Sequence, residues 1–347
     1  MAFQPDYRNI VDAACNRVPK RLPLYEHLID WQVMETIQGV KFAHLYGTDK
    51  DGFFREYCRF FRDMGYDTVS FECCICSILI NGGALGAHKP GAIANREDFE
   101  NYPWEELEGR FFTAFTADLE ALRRQMPQGM AAIGGVGNGI FEIVQDLVGY
   151  ESLCYLSDDD PELYEDLFRK VGQVLHGIWK RFLKEFGDIY CVCRFGDDLG
   201  YKSNTLLSHD DVRQLIIPGY REIIRSVHEA GKPFLLHSCG NIFAVMDDLI
   251  EAGIDAKHSN EDQIALFPEW PRRYGSRIGF FGGIDTDAVC RLPKEAMTAY
   301  IEDVIRQCHG KSGFAFGSGN SIPGYVPCDQ YLHMVRTVRT LRGEHLE

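Results

Sequence analysis

The chain has 347 residues, with 51 acidic against 36 basic side chains and a formal charge of −15. Hydrophobic residues make up 45% and charged ones 25%, enough apolar material to offset the entropy of folding, so a disordered chain is excluded. The negative field disfavours a general nucleic-acid binder, and there is no window of about 18 apolar residues to span a membrane.

The first twenty residues carry acidic groups and no apolar stretch of signal-peptide length. Cys73, Cys74, Cys76, Cys191 and Cys193 sit inside apolar, strand-like runs. Reduced thiols in a cytoplasmic protein are therefore expected rather than a disulfide framework.

Apolar or β-branched runs recur along the chain, each followed by a longer helical pattern. They are RLPLYEHLI (21–29), YDTVSFE (66–72), MAAIGGVG (130–137), DIYCVCRFGDD (188–198), PFLLHSCG (233–240), GIDAKHS (253–259), RIGFFGGID (277–285) and GFAFGSGN (313–320). FFREYCRFFRDMG stops on Gly65, a helix-end signal, and the long pattern opened by PELYEDLF stops at Gly187. NIFAVMDDLIEAG and LPKEAMTAYIEDVIRQCHG repeat the grammar. Strand–helix alternation implies parallel strands with right-handed crossovers. Eight units predict an α/β fold of the (β/α)8 TIM-barrel type, one domain over residues 1–347, with helical insertions near 31–60 and 77–125. The competing doubly wound sheet calls for a Gly-rich phosphate loop after its first strand, and none is present.

Barrel sites lie at the carboxyl ends of the strands. Those ends supply Glu26 and His27, Glu72 and Cys73, Asn138 and Glu142, Arg194, Asp197 and Asp198, His237 and Cys239, Lys257 and His258, Asp285, Ser318 and Asn320. His237 and Cys239, two residues apart in LLHSCGNI, share one strand face, and imidazole with thiolate is a zinc donor pair. His258 joins them if the two strands are neighbours, giving His237, Cys239 and His258 as candidate metal ligands with a further position open for catalysis. The bland alternative is a satisfied core histidine beside a small buried thiol.

Glu72, Glu142 and Glu26 are flanked by apolar residues, where burial raises a carboxyl pKa and suits a general acid; an ion pair with Arg194 or Lys257 is the competing reading. Asp197 and Asp198 orient a ligand, touch substrate or cap a turn. Glu72, Glu142 and Asp198 stand as catalytic candidates; Glu26, Cys73, Arg194, Asp197, Lys257, Ser318 and Asn320 stand as substrate-binding candidates. Glu222 reads as a solvated helix residue.

Through RLPLYEHLI, EDFENYPWEEL (97–107), GIFEIVQDLVGYE (139–151), GDDLG (196–200), LLHSCGNI (235–242) and GSGNSIPGYVP (317–327), nearly the whole chain resembles the uroporphyrinogen decarboxylase superfamily, and within it the zinc-dependent corrinoid methyltransferases. Against the decarboxylases themselves, the chain has EHLIDW where their arginine-rich motif stands. Cys73, Glu142 and Gly319 fall where they carry an aspartate, a tyrosine and a histidine. The coenzyme M methyltransferases bind zinc through H-x-C and a distant cysteine; His237 and Cys239 match, and Ser318 replaces the distant cysteine. A subgroup that demethylates methoxylated aromatics spaces Glu, Glu and His by 14 and 20 residues, and Glu222, His237 and His258 fall at those intervals.

The resemblance implies a zinc-dependent methyltransferase moving a methyl group between a small, methoxylated aromatic-like substrate and a corrinoid protein. It implies zinc as cofactor, and cobalamin supplied on a partner protein. The alternative is a decarboxylase-like lyase acting on a porphyrinogen or related carboxylate, and a non-enzymatic binding barrel is the third reading. The sequence leaves the oligomeric state open, a homodimer included.

Overall fold

A computed structural model of the chain describes residues 3–86 and 89–344. Seven strands form one parallel sheet: β1 Thr68–Cys74, β2 Ala131–Gly137, β3 Tyr190–Gly196, β4 Phe234–His237, β5 Ala256–His258, β6 Gly279–Ile284 and β7 Phe314–Ser318, each paired with the next. The strands are almost continuously buried, as parallel strands covered by crossover helices must be.

The helices begin and end where their sequence says. Asp49 caps the helix Lys50–Met64 by accepting from Gly52 N, and Gly65 ends it in the left-handed region at φ 89°. Its buried face is aromatic, with Phe53, Phe54, Tyr57, Phe60 and Phe61. Asp160 and Pro161 open the helix Pro161–Phe186, which buries Leu163, Leu167, Val171, Leu175, Trp179 and Phe182 at helical spacing. Helices Trp31–Gln38, Phe42–Thr48 and Lys50–Met64 fill the first expected insertion; Arg96–Asn101 and Leu107–Gln125 fall in the second.

The expected first strand differs. Residues 21–29 make no ladder, only isolated parallel bridges at Leu24↔Phe316 and Ile29↔Ile322. Pro23 has no N–H to donate, so only its carbonyl is bonded, accepting from Phe316 N, while Tyr25 N donates to the Phe316 carbonyl. Toward β1, the Ser70 hydroxyl bonds the carbonyl oxygens of Glu26 at 2.7 Å and His27 at 2.8 Å in place of a backbone ladder. Both sheet edges thus meet one segment, and the sheet curls into a TIM-like arrangement one strand short of eight. Gly317 permits this approach, since a Cβ there would lie 1.7 Å from the Tyr25 carbonyl oxygen.

Inside the curl, Ile133, Val192, Leu235, Ala256, Phe281 and Ala315 pack with Tyr25 and with Ile10, Ala13 and Ala14 of the helix Arg8–Ala14. That helix region covers the amino end of the sheet, where Tyr7 N donates to the Gly129 carbonyl and Asn16 Oδ1 accepts from Gly313 N. The carboxyl end is left for chemistry. No described helix is long and apolar enough to cross a membrane.

Candidate metal centre

β4 and β5 are neighbours, and their register sets His237 directly beside His258. The chain leaves β4 through Ser238 into a turn whose shape is fixed by Gly240, at φ 82°, where a Cβ would lie 2.1 Å from a backbone carbon of Gly200. LHSCGN and GDDLG therefore lock together. The outcome is that Cys239 N donates to Asp198 Oδ1 at 2.9 Å.

Three unlike donors converge there. His237 Nε2 lies 3.4 Å from Cys239 Sγ and 3.8 Å from Asp198 Oδ1, and all three ligand atoms fall within 4.8 Å of one another. Two ligands on a tetrahedral zinc with bonds of about 2.0–2.3 Å stand about 3.5 Å apart. The two edges that meet at His237 Nε2 thus stand near the tetrahedral edge distance, all three atoms lie within 4.8 Å, and the mixed nitrogen, sulfur and oxygen donor set fits zinc. Asn320 Nδ2 donates to the sulfur at 3.2 Å and Ser259 Oγ at 3.5 Å. Burial, then the Asp198 charge, pushes the Cys239 thiol up, and a bound cation reverses that cost.

His258 is near but turned away from the sulfur. Its Nδ1 faces His237 Nδ1 at 2.7 Å, and its Nε2 donates to the Ser318 carbonyl oxygen at 3.1 Å. A second triad, His27 with His237 and His258, brings in a residue that the sequence placed at a strand end without assigning it to the metal. The His27 ring stacks on that of His237 at 3.9 Å, and its Nδ1 is buried without a partner. Its signal was position alone, one residue beyond Glu26 in the first run. Burial pushes His258 down to about 3 and His237 well below its ordinary value, so both rings are neutral at pH 7.

The carboxylates divide by environment. Glu72 Oε2 takes Arg194 Nε at 3.0 Å and Nη2 at 2.8 Å, so the ion-pair reading holds for this residue. Arg194 is wholly buried, and its Nη1 donates to Tyr25 Oη, Ser70 Oγ and the His27 carbonyl. Glu142, read as flanked by strand residues, sits instead in the first turn of the helix Ile140–Val148. It accepts from Asn138 Nδ2 at 2.8 Å and from Asp198 N at 3.3 Å, the latter bond joining it to the donor set. Burial, followed by the charges of Asp197 and Asp198, pushes its carboxyl far above the ordinary range.

Asp197 takes the capping role among its alternatives. It is fully buried and accepts from Phe141 N, Glu142 N and Tyr220 Oη, with burial pushing it up to about 6. Glu26 accepts from Ser318 N at 3.0 Å and Ser318 Oγ at 2.5 Å, and burial pushes it up to about 8. These two residues bind each other, and Asn320 reaches the cysteine.

Two substrate-binding candidates lie elsewhere. Cys73 follows Glu72 on the strand and so points to the opposite face, into the helix-covered core. Lys257, beside inward-facing His258, likewise points outward: its Nζ lies 3.9 Å over the Trp270 ring and donates to the Ser259 carbonyl, and burial pushes it down to about 7. Glu222 pairs with Arg225 on the helix Ile217–Glu229 and lines an outer groove with His176, apart from the donor set. Of the aromatic residues near the strand ends, Phe141, Phe195 and Phe281 are core, whereas Tyr325 is 75% exposed.

Among solved structures, a methyltransferase from Methanosarcina mazei superposes with a TM-score of 0.76 at 15% identity, covering 97% of this chain and 99% of that one. A B12-independent methionine synthase from Shewanella, in complex with selenomethionine, gives 0.54 at 13% identity, covering 95% and 96%. These likenesses are of fold. No curated protein matches the sequence. The uroporphyrinogen decarboxylase (URO-D) family profile matches residues 56–341, which take in every strand and the donor set, and the chain belongs to that family.

Proposed function

We propose that the chain is a zinc-dependent methyltransferase that moves a methyl group between a small oxygen-linked substrate and a corrinoid carried by a partner protein. The observation that carries this reading is the convergence of ligand atoms of Asp198, His237 and Cys239 within 4.8 Å of one another at the carboxyl end of the sheet. A methyltransferase among the solved structures of the same fold supports it. Asp198, His237 and Cys239 would hold the zinc ion, which would supply a Lewis acid with one thiolate donor, harder than a multi-thiolate site and suited to an ether oxygen.

The other residues do proton and positional work. Glu142, kept protonated by burial and by its acidic neighbours, stands beside Asp198 and delivers its proton to the oxygen that the methyl group leaves. Asp197 anchors the helix that carries Glu142 by accepting from its first-turn N–H groups. Asn320 and Ser259 hold the Cys239 sulfur in place. Arg194 is consumed by Glu72 and three neutral acceptors, so it offers no free guanidinium to a polycarboxylate, which weighs against decarboxylation of a porphyrinogen. All twelve cysteines are free, as a reducing cytoplasm requires of them in this reading.

Elemental analysis of the purified wild type and His237→Ala tests the proposal. About one zinc per chain in the wild type and none in the variant is the expected result. A wild type that takes up no metal on reconstitution at neutral pH removes the mechanism.

A further inference from the structure

A neutral imidazole has one donor nitrogen and one lone pair, and the partner of each fixes which is which. The chain of contacts through the two paired histidines has a single consistent assignment. His258 Nε2 faces the Ser318 carbonyl oxygen at 3.1 Å, an acceptor only, so this nitrogen carries the hydrogen. The lone pair of His258 then falls on Nδ1. His237 Nδ1 stands 2.7 Å from it and must donate. His237 Nε2 is left with its lone pair, which points toward Cys239 Sγ at 3.4 Å and Asp198 Oδ1 at 3.8 Å.

We infer that His258 is a positioning residue rather than a ligand: it takes its hydrogen-bond polarity from the Ser318 backbone and holds His237 as the Nδ1–H tautomer, with the Nε2 lone pair aimed between Cys239 and Asp198. The assignment deepens the metal reading and rests on it for its purpose, though the tautomer itself does not depend on metal. The contact itself requires a lone pair on one side, since two N–H groups cannot face each other across 2.7 Å. The far side of the assignment closes as well. A protonated Cys239 donates its S–H to that lone pair, while the sulfur accepts from Asn320 Nδ2 at 3.2 Å. The feature is written in the backbone, since a carbonyl oxygen is never a donor and no side-chain substitution at position 318 removes it. It also explains why histidine at 258 lies one hydrogen bond behind the ligand set: such partners of a ligating imidazole set its tautomer and typically contribute about 10–100-fold in metal affinity.

The test uses metal-free full-length protein labelled with 15N-histidine. Long-range 1H–15N correlation is expected to show His237 as the Nδ1–H form and His258 as the Nε2–H form; His237 as the Nε2–H form overturns the inference. Cobalt(II) titration, read by the thiolate charge-transfer band, is then made on the wild type, His258→Leu and His258→Asn. The leucine variant loses the acceptor and should bind cobalt about 10–100-fold more weakly, whereas the asparagine Oδ1 replaces the lost acceptor and should restore most of the affinity. Undiminished binding by His258→Leu overturns the positioning role. A wild type that binds no cobalt yet shows the Nδ1–H form of His237 sinks the metal reading and leaves the tautomer assignment standing.

Discussion

At the scale of single residues, Glu142 is the proton donor of the proposed reaction. Its carboxyl is pushed well above the ordinary range by burial and then by the charges of Asp197 and Asp198, which favours its protonated form, and the Asp198 N–H points to it. Glu142→Gln should lower kcat for a methyl ether by about 10²–10⁴-fold, the range of a lost general acid. With an ether whose departing phenol is acidic the same variant should recover most of the rate, because that leaving group needs no proton. An equal loss for both substrates assigns Glu142 to structure instead. The nearness of His237 and Cys239 was legible in the sequence from their two-residue spacing at a strand end, and the pairing of successive strands brings His258 alongside. The two-residue strand period explains the misplaced residues. Cys73 and Lys257 are each one position out of phase with an inward neighbour, and strand-end position alone does not reveal phase. The place of Asp198 beside His237 and Cys239 was hidden, because it reaches the site through a turn whose course depends on Gly200 crossing Gly240.

Among the elements, that crossing is tightly constrained. Gly240 combines a positive φ of 82° with a backbone approach that leaves no room for a Cβ. Gly240→Ala should lower stability by about 1–3 kcal/mol from the backbone conformation alone, and should weaken metal binding in the same variant by displacing Cys239 from Asp198. Denaturant melts paired with cobalt titration check this, and an alanine variant equal to wild type in both contradicts it. Helices announced themselves through caps, as with Asp49 and Gly65 or Asp160 and Pro161. The segment 140–148 did not, since FEIVQDLV is an apolar run that serves as strand or helix until its N-terminal partner is known. That partner is Asp197, more than fifty residues away in sequence. The first run looked like a strand by composition, but Pro23 and the Ser70 hydroxyl replace its ladder, a substitution visible only in three dimensions.

For the molecule as a whole, buried titratable groups oppose one another across the pH scale. Glu26 titrates at about 8 in the fold against an ordinary 4.5, so the folded state favours its protonated form. The stability this gives is fully present below about 4.5 and is lost as pH rises toward 8. The Tm of Glu26→Gln minus that of wild type should therefore grow between pH 5 and pH 8. A constant difference would show that Glu26 does not titrate in this range. The histidines act in the other sense: His237 and His258 are depressed in the fold, so their contribution is present above the ordinary value of 6.5 and falls away in acid. Zinc at a hundred times its Kd should stabilise the wild type by about 2.7 kcal/mol and leave His237→Ala unmoved, which thermal melts with and without metal will show. The bridge between Glu26 and Ser318 spans 292 positions of sequence, and it has a consequence for the order in which the protein is made. A chain growing from its amino end exposes His237 and Cys239 while β7 has yet to be synthesised. At that stage His258 lacks the Ser318 carbonyl that sets its polarity, and Cys239 lacks the Asn320 amide. Contacts so distant along the chain close late, so a stalled or truncated product holds His237 and Cys239 without their alignment, and on the proposed reading selective metal capture becomes a property of the chain that has reached β7.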